Sequence, residues 1–183
     1  MTSWAASIGN ILELRADALI CSANPLLNLS GGVGGEFLLR YGDAMQTFLH
    51  NWLHKSNRQF VAPGTVVAAP PCGSPFHVVL HAVAIDAFYE TSAELISQTY
   101  GNAFAEASRQ GCRSIVSACL ACGYGRASPE LFARAIRPHL GSSIPTIDRI
   151  EFRSTNADIV ETIQSLIVPM QSPPAHSPPS NGA

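Results

Sequence analysis

The chain has 183 residues, of which 46% are hydrophobic and 13% charged, and its formal net charge at pH 7 is −2. A chain with this charge has no general electrostatic attraction to nucleic acid or anionic lipid, so we expect neither nucleic acid nor a membrane as a partner. No apolar run approaches the ~20 residues that a membrane-spanning helix needs. The cysteine count of 5 is odd, and the N-terminus lacks the features of a signal peptide. We therefore expect a cytoplasmic protein in a reducing compartment.

Strand-like and helix-like segments alternate along the chain. The strands are short apolar runs, and the helical segments between them repeat apolar residues at spacings of three and four. This alternation predicts an α/β fold with a largely parallel sheet of about six strands, covered by helices on both faces. The predicted strands are 3–8, 18–22, 65–69, 76–83, 114–120 and 146–153, and the predicted helices are 36–53, 92–110, 128–140 and 156–168.

A glycine-rich loop precedes the first predicted helix. After the strand 18–22 and Asn24-Pro25, four of the five residues at positions 31–35 are glycine. Glycine lets an anion approach the backbone closely, and the free N–H groups and positive dipole end of a helix favour phosphate. The loop is not a P-loop, because no Lys-Ser or Lys-Thr follows it, and it lacks the spacing of a dinucleotide-binding fingerprint.

A second loop of the same kind, Ala121-Cys122-Gly123-Tyr124-Gly125, follows the strand 114–120. The next helix is predicted to start with Ser128 as its N-cap and Pro129 as its first residue. Ligands of parallel sheets bind at the carboxyl ends of the strands, where both loops lie, so the loops could close on the two phosphates of a pyrophosphate. The alternative, which the spacing leaves open, is that both are ordinary strand-to-helix turns.

Four segments together resemble the macro domain, the ADP-ribose-binding module. Gly9-Asn10-Ile11-Leu12 is similar to the family's Gly-Asp-Ile-Thr, and residues 17–25 are similar to its Asp-Ala-Ile-Val-Asn-Ala-Ala-Asn. Gly31-Gly32-Val33 and residues 121–125 resemble its two phosphate loops. The resemblance covers residues 3–168 and implies a three-layer α/β/α sandwich with a mixed central sheet.

The resemblance also implies roles for the matched residues. The family's aspartate accepts a hydrogen bond from the adenine amino group, and the amide oxygen of Asn10 can take that place. Asn24 matches an asparagine that contacts the distal ribose, and the ring of Tyr124 would cover that ribose. The ligand-binding residues implied in this way are Asn10, Ile11, Ala23, Asn24, Gly31, Gly32, Val33, Gly34, Ala121, Cys122, Gly123, Tyr124 and Gly125.

One departure from the family bears on catalysis. Family members that release ADP-ribose from acidic side chains commonly have an aspartate directly after Gly-Gly-Val, where this chain has Gly34. Glu36 would instead complement the dipole of its helix, and nothing in the sequence places Asp86 or Glu90 at the site. Some members without the aspartate still hydrolyse, so the question of an enzyme stays open, with Asn24 as the candidate catalytic residue.

We therefore expect a module that binds ADP-ribose, either free or as mono-ADP-ribosylated protein. The first alternative is an ADP-ribosyl hydrolase or O-acetyl-ADP-ribose deacetylase. The second is a relative of the same fold that binds another nucleotide or none.

The remaining cysteines and histidines have structural interpretations. Cys119-Leu120-Ala121-Cys122 is a CxxC without a second pair at metal spacing. We expect His50 and His54 on a solvated helix face, and His77 and His81 as partly buried, hydrogen-bonded strand residues. We predict neither a metal nor a cofactor.

Residues 1–168 form the predicted domain. The remainder, residues 169–183, contains five prolines, and we expect it to be a disordered tail or a linker.

Overall fold

The computed structural model of the chain describes residues 1–171. Within them lie six strands: β1 (Ser3–Ile8), β2 (Ala18–Ser22), β3 (Val66–Ala69), β4 (Val78–Ala82), β5 (Ser114–Ser117) and β6 (Arg149–Ser154). The helices are α1 (Gly32–Tyr41), α2 (Ala44–Lys55), α3 (Ala93–Arg109), α4 (Pro129–Ile136) and α5 (Ala157–Gln171), with a short 3-10 helix at Ile11–Glu13. Helix α5 runs past the predicted end of the domain to Gln171. The rest of the predicted tail lies outside the described residues.

The strands of the described residues form one sheet in the order β1-β6-β5-β2-β4-β3. Every neighbouring pair is parallel except β3 and β4, which are antiparallel. The prediction of a mixed, largely parallel sheet is therefore confirmed. Strand β2 lies near the centre, so that Ile20 pairs with Ser117 of β5 on one side and with Leu80 of β4 on the other.

Helices cover both faces of this sheet and complete the expected three-layer α/β/α sandwich. Helices α3, α4 and α5 bury Tyr100, Phe132 and Ile163 against one face. Helices α1 and α2 bury Phe37 and Met45 against the other face. Across residues 1–171, no helix combines the length and the apolar character needed to cross a membrane.

The single helix predicted at 36–53 is wrong: the segment forms two helices, and the first of them starts earlier. Gly42 ends α1 with a φ of 81°, and its N–H donates to the carbonyl of Leu38. Glycine adopts this left-handed conformation without the steric strain of a side chain. Asp43 then precedes α2. Gly42-Asp43 is a sequence typical of a boundary between two helices. The apolar stripe continues across it, however, and this pattern favoured one long helix.

Helix α4 is shorter than the helix predicted at 128–140 and ends at Ile136. Pro138 has no N–H with which to continue the helical hydrogen bonds. The start of α4 is as predicted, because the side chain of Ser128 accepts a hydrogen bond from the N–H of Leu131 at 3.2 Å and Pro129 is the first helical residue.

His81 does not have the predicted hydrogen-bonded environment. It is buried in β4 between Cys21 of β2 and Val67 of β3. Neither ring nitrogen has a hydrogen-bond partner among the described residues. Burial lowers the pKa of His81 to about 4, because the charged ring would lose its hydration. His81 is therefore neutral near pH 7, whereas His77 is exposed and precedes the strand.

Asp17 connects the beginnings of the central strands. Its Oδ2 accepts hydrogen bonds from the backbone N–H groups of Arg113 and Ser114 at 2.8 and 2.9 Å, and from the Ser114 hydroxyl at 3.0 Å. Its backbone carbonyl accepts hydrogen bonds from the N–H groups of His77 and Val78. The bond from Arg113, followed by those from Ser114, lowers the pKa of the carboxyl by favouring its charged form. One residue thus ties together β2, β4 and β5.

We expect Asp17→Ala to destabilise the domain by about 1–2 kcal/mol near pH 7, because two backbone donors lose a charged acceptor that is partly exposed to solvent. Since the folded-state pKa of Asp17 is lowered, this stabilisation is present above the ordinary pKa of about 4 and is lost as the pH falls through the lowered value. Urea denaturation at a series of pH values measures the difference between wild type and variant.

Glu161→Ala on the exposed face of α5 is the matched control, because it also removes one carboxylate. If the two variants lost the same free energy of unfolding, or if the Asp17 effect did not shrink in acid, Asp17 would not have this role.

Candidate functional site

A cleft of about 430 Å³ lies at the carboxyl-terminal edge of the sheet. It is bordered by the segments that follow β1, β2, β5 and β6 and by the start of α1. All the ligand-binding residues predicted from the sequence line this cleft. Their convergence follows from the topology, because β2 and β5 are parallel neighbours and both glycine segments follow their carboxyl ends.

The N-terminus of α1 forms one wall of the cleft. Helix α1 starts at Gly32, so most of the predicted glycine loop is the first turn of a helix. The first helical bond there runs from the N–H of Gly35 to the carbonyl of Gly31 at 3.0 Å. The N–H groups of Gly32, Val33 and Gly34 therefore have no helical acceptor. An anion in the cleft would meet these donors and the positive end of the helix dipole.

Two side chains of α2 hold the segment between β2 and α1. Gln46 accepts a hydrogen bond from the N–H of Leu29 at 2.7 Å and donates one to the carbonyl of Leu27 at 3.0 Å. His50 Nε2 lies 2.9 Å from the side-chain oxygen of Asn28. Leu27 has a φ of 55°, a strained conformation that these contacts help to maintain. His50 is exposed, as predicted, but it also bonds to the loop.

Asn24 organises its own loop. Its side-chain oxygen accepts hydrogen bonds from the N–H groups of Leu26 and Asn28 at 3.1 and 3.2 Å, and its Nδ2 donates to the carbonyl of Asn28 at 2.8 Å. The amide nitrogen carries a second hydrogen, which is available to a ligand. Because an amide does not ionise near pH 7, this side chain is suited to positioning rather than to proton transfer.

A buried tyrosine fixes the start of the second loop. Strand β5 ends at Ser117, before its predicted end at Leu120. Beyond it, the hydroxyl of Tyr100 donates to the carbonyl of Ala118 at 2.7 Å and accepts from the N–H of Leu120 at 3.1 Å. The Tyr100 side chain of α3 therefore provides the hydrogen bonds that a neighbouring strand would otherwise provide at this point. Sequence reasoning could not find this contact, because Tyr100 fits the apolar stripe of its helix.

The turn that follows presents backbone donors to the cleft. Among the described residues, none accepts a hydrogen bond from the N–H groups of Gly123, Tyr124 or Gly125. A Cβ at Gly123 would meet no atom within 4 Å beyond its chain neighbours, whereas one at Gly125 would lie 2.7 Å from Cγ2 of Ile85. Gly125 is thus required for packing, and Gly123 leaves open space beside free donors, as an anion site needs.

The two glycine segments touch through Tyr124. A Cβ built on Gly31 would lie 2.9 Å from Cε2 of Tyr124, so the ring rests directly on the Gly31 backbone. The ring of Tyr89, which no motif indicated, lies next to it with a centroid distance of 6.2 Å and an interplanar angle of 57°. A side chain at position 31 would have to displace the exposed Tyr124 ring, whereas the φ of Gly31, extended at 170°, does not call for glycine.

Asn10 and Glu36 form a hydrogen-bonded pair at the other end of the cleft. Asn10 Nδ2 donates to Oε2 of Glu36 at 2.6 Å, and its Oδ1 accepts from the N–H of Leu12 at 2.9 Å. Glu36 lies in the second turn of α1, beyond the first-turn positions where a carboxylate complements the dipole, so our interpretation of it as a dipole partner was wrong.

Charged side chains are scarce in the cleft. Of the described residues that line it, only Glu36 carries a negative charge and only Arg153 a positive one. The Arg153 guanidinium already lies 3.6 Å from Glu13 and 3.9 Å from Glu151. The carboxylate of Asp86 accepts hydrogen bonds from two N–H groups of its own loop at 2.8 and 2.9 Å. An anion bound here would therefore rely on backbone N–H groups.

Cys119 and Cys122 are neutral thiols in the wall of the cleft. Burial raises the pKa of Cys122 to about 12 and that of Cys119 well above its usual range. Neither is therefore a thiolate nucleophile near pH 7. All five cysteines are free, and residues 1–171 contain no cluster of His, Cys, Asp and Glu that could hold a metal ion.

Gly34 is buried. At this position, members of the family that the sequence resembles commonly have an aspartate. A Cβ at this position would lie 3.2 Å from Cδ2 of Leu29. Gly34 lies within α1 and is not among the residues of positive φ, so the obstacle to a side chain is the packing of Leu29 rather than backbone strain.

Comparison with known proteins identifies the family. The macro-domain family model matches residues 20–136, well over half of the chain. This chain belongs to the macro-domain family. An uncharacterised protein of Pyrobaculum aerophilum is 30% identical over 146 residues, which cover 78% of each protein.

Solved macrodomain structures share the fold. The Trypanosoma brucei macrodomain in complex with ADP aligns with a TM-score of 0.75 at 20% identity, over 90% of this chain and 69% of that one. The same protein in complex with ADP-ribose gives a TM-score of 0.71 at 19% identity, over 90% and 68% of the two chains. The Oceanobacillus iheyensis macrodomain with ADP gives 0.74 at 18% identity, over 90% and 91%.

We expect Tyr100→Phe to destabilise this macro domain by about 1–3 kcal/mol, because the N–H of Leu120 would be left buried without a partner, while the carbonyl of Ala118 would keep the Ser117 hydroxyl at 2.9 Å. Chemical denaturation measures the loss. Tyr41→Phe is the matched control, since the Tyr41 hydroxyl bonds to none of the described residues and its removal should change stability by less than about 0.5 kcal/mol. Equal losses in the two variants would contradict the role of the Tyr100 hydroxyl.

Proposed function

We propose that this macro domain binds ADP-ribose, free or carried by mono-ADP-ribosylated protein, in the cleft between α1 and the second glycine loop. The observation that carries the proposal is that two sets of backbone donors, at Gly32–Gly34 and Gly123–Gly125, belong to residues that line one cavity and have no acceptor within residues 1–171. Membership of the family and the macrodomain structures that contain ADP or ADP-ribose support the same ligand. The cavity volume of about 430 Å³ suits a small-molecule ligand.

The two ends of the cleft suit the two ends of the ligand. We place the pyrophosphate between the two donor sets, whose N–H groups can replace the water that hydrates a free phosphate. The adenosine then extends towards Asn10 and Ile11, and the distal ribose towards Asn24, Gly31 and Tyr124. Asn24 would donate its remaining amide hydrogen to a ribose hydroxyl.

The Asn10–Glu36 pair gives a reason for the departure from the family's aspartate. An aspartate at position 10 would place its carboxylate within hydrogen-bond distance of the Glu36 carboxylate, and two negative charges at that distance repel. Asparagine avoids the repulsion and donates to Glu36. The negative charge that the family has on its aspartate is thus present on a neighbouring residue.

A binding role fits the distal end of the cleft better than a hydrolytic one. Gly34 offers no carboxylate there, Asn24 does not ionise, and Asp86 holds its own loop through Oδ1 and does not line the cleft. General acid–base catalysis needs a titratable group within hydrogen-bond reach of the reacting atoms. We therefore favour recognition of ADP-ribose over its hydrolysis.

We also propose a cytoplasmic location and a protein or small-molecule partner. The five free thiols support a reducing compartment. The net charge of −2 supports a partner other than nucleic acid.

We expect wild-type protein to bind ADP-ribose with a dissociation constant in the micromolar range, about 7–9 kcal/mol, and Gly123→Glu to abolish binding. The glutamate would fill the open space beside the free N–H groups and repel the phosphates in a cleft where Arg153 is the one cation among the described lining residues. Titration calorimetry measures the affinity, and circular dichroism checks the fold.

Two control variants separate bulk from charge. Gly123→Ala adds a methyl group where no atom lies within 4 Å and should retain most of the affinity. Ala105→Glu adds the same charge at an exposed position of α3 and should bind like wild type. Wild-type affinity in folded Gly123→Glu would show that the second loop is not the phosphate site.

We expect wild-type protein to release ADP-ribose from modified Glu or Asp side chains no faster than the binding-deficient Gly123→Glu variant does. The absence of a carboxylate or an imidazole at the distal end removes an acceleration of about 10²–10⁴-fold. A time course on a mono-ADP-ribosylated protein measures this release. Turnover by wild type at ten or more times the rate of the variant would establish the hydrolase alternative.

A further inference from the structure

Tyr89 belongs to a loop that the sequence motifs did not mark, yet its side chain lines the cleft. The loop connects β4 to α3 and is held by Asp86. The Asp86 carboxylate accepts hydrogen bonds from the N–H groups of Phe88 and Glu90 at 2.8 and 2.9 Å, and its own N–H donates to the carbonyl of Glu90 at 2.9 Å. These hydrogen bonds fix the loop conformation and with it the position of Tyr89.

The backbone of Tyr89 is strained. Its φ is 65°, in the left-handed region, where a bulky aromatic residue is rare. Its side chain is also half exposed, with 49% of its surface accessible, so core packing does not account for the conformation. Strained residues of this kind concentrate at ligand sites, where the strain aims a side chain at a ligand.

The strained backbone directs the Tyr89 ring to the distal end of the cleft. There it meets the ring of Tyr124 at 6.2 Å, and Tyr124 rests on Gly31 at the start of the other loop. The two rings are tilted by 57° to each other and are not stacked. Both are partly exposed, so their faces are accessible to a ligand. Phe88, its chain neighbour, is 83% exposed and does not line the cleft.

We propose that Tyr89 is a ligand-binding residue that, with Tyr124, holds the ribose beyond the pyrophosphate. This inference rests on the proposed function, because it takes the phosphates to lie on the two donor sets. Tyrosine suits the role, since its ring offers a rigid apolar face to the C–H groups of a sugar while its hydroxyl can bond to a ribose hydroxyl or to water. Tyr89 is thus a determinant of specificity for ADP-ribose over ADP.

The test compares the affinities of ADP-ribose and ADP, which lacks the distal ribose and has a free terminal phosphate in its place. Tyr89→Gly removes the ring at a position whose φ suits glycine, so the loop should keep its fold. Tyr89→Asn removes the ring with a less flexible residue that also tolerates this φ. Tyr89→Phe keeps the ring. Phe88→Ala is the matched control, because it removes an exposed aromatic ring of the same loop from outside the cleft.

We expect Tyr89→Gly and Tyr89→Asn to weaken ADP-ribose binding by about three- to tenfold while ADP binding is unchanged, in keeping with the loss of one aromatic contact. Tyr89→Phe should retain most of the preference for ADP-ribose, and Phe88→Ala should retain all of it. Titration calorimetry with the two ligands measures both affinities.

Three results would overturn the inference. If both ligands lost affinity equally in Tyr89→Gly and Tyr89→Asn, Tyr89 would shape the loop rather than hold the ribose. If neither ligand lost affinity, Tyr89 would not contact the ligand. If wild type bound neither ADP nor ADP-ribose, the proposed function would fail together with this inference, and that result is distinct from the first two.

Discussion

The parallel pairing of β2 with β5 is the contact on which the cleft depends. Each strand delivers a glycine segment to the same edge of the sheet, and a different connection would separate the two donor sets. The pairing is fixed at both ends. Asp17 bonds the beginnings of the strands, and at the other end the N–H of Ala118 donates to the carbonyl of Ile20 at 2.9 Å. Tyr100 then carries the chain from β5 into the second loop.

The elements around the cleft provide rigidity that glycine cannot provide. Glycine segments are flexible in isolation, and ordering them on a ligand would reduce affinity. Here Gln46 and Asn24 bond the backbone just before the first segment, and Tyr100 bonds the backbone before the second. The free N–H groups are therefore held in position before a ligand arrives, which is the arrangement that favours tight binding of an anion without a basic patch.

Much of the fold could be predicted from the sequence, because strand alternation and glycine punctuation are local signals. The six strands and their largely parallel sheet followed from such signals, whereas the mixed sheet and the predicted ligand-binding residues were implied by the resemblance to the macro domain. Contacts between distant segments could not be predicted. Gln46, Tyr89 and Tyr100 have no motif around them, and their roles appear only when α2, the β4–α3 loop and α3 are packed against the site. The break at Gly42 was readable, but the apolar periodicity on both sides of it outweighed one glycine.

A phosphate site made of main-chain groups responds to mutation in an unusual way. Truncating side chains to alanine removes little from it, because Gly32, Gly34 and Gly123 have no side chain to lose and their amides are present in every residue except proline. Inactivating changes are those that add atoms. An alanine scan of this domain would therefore highlight supporting residues such as Gln46 and the side chains proposed to hold the ribose, and it would pass over the phosphate donors, whereas a scan with a large residue would locate them. Function in such a domain is preserved by the exclusion of side chains, so it can persist while most of the surrounding sequence changes.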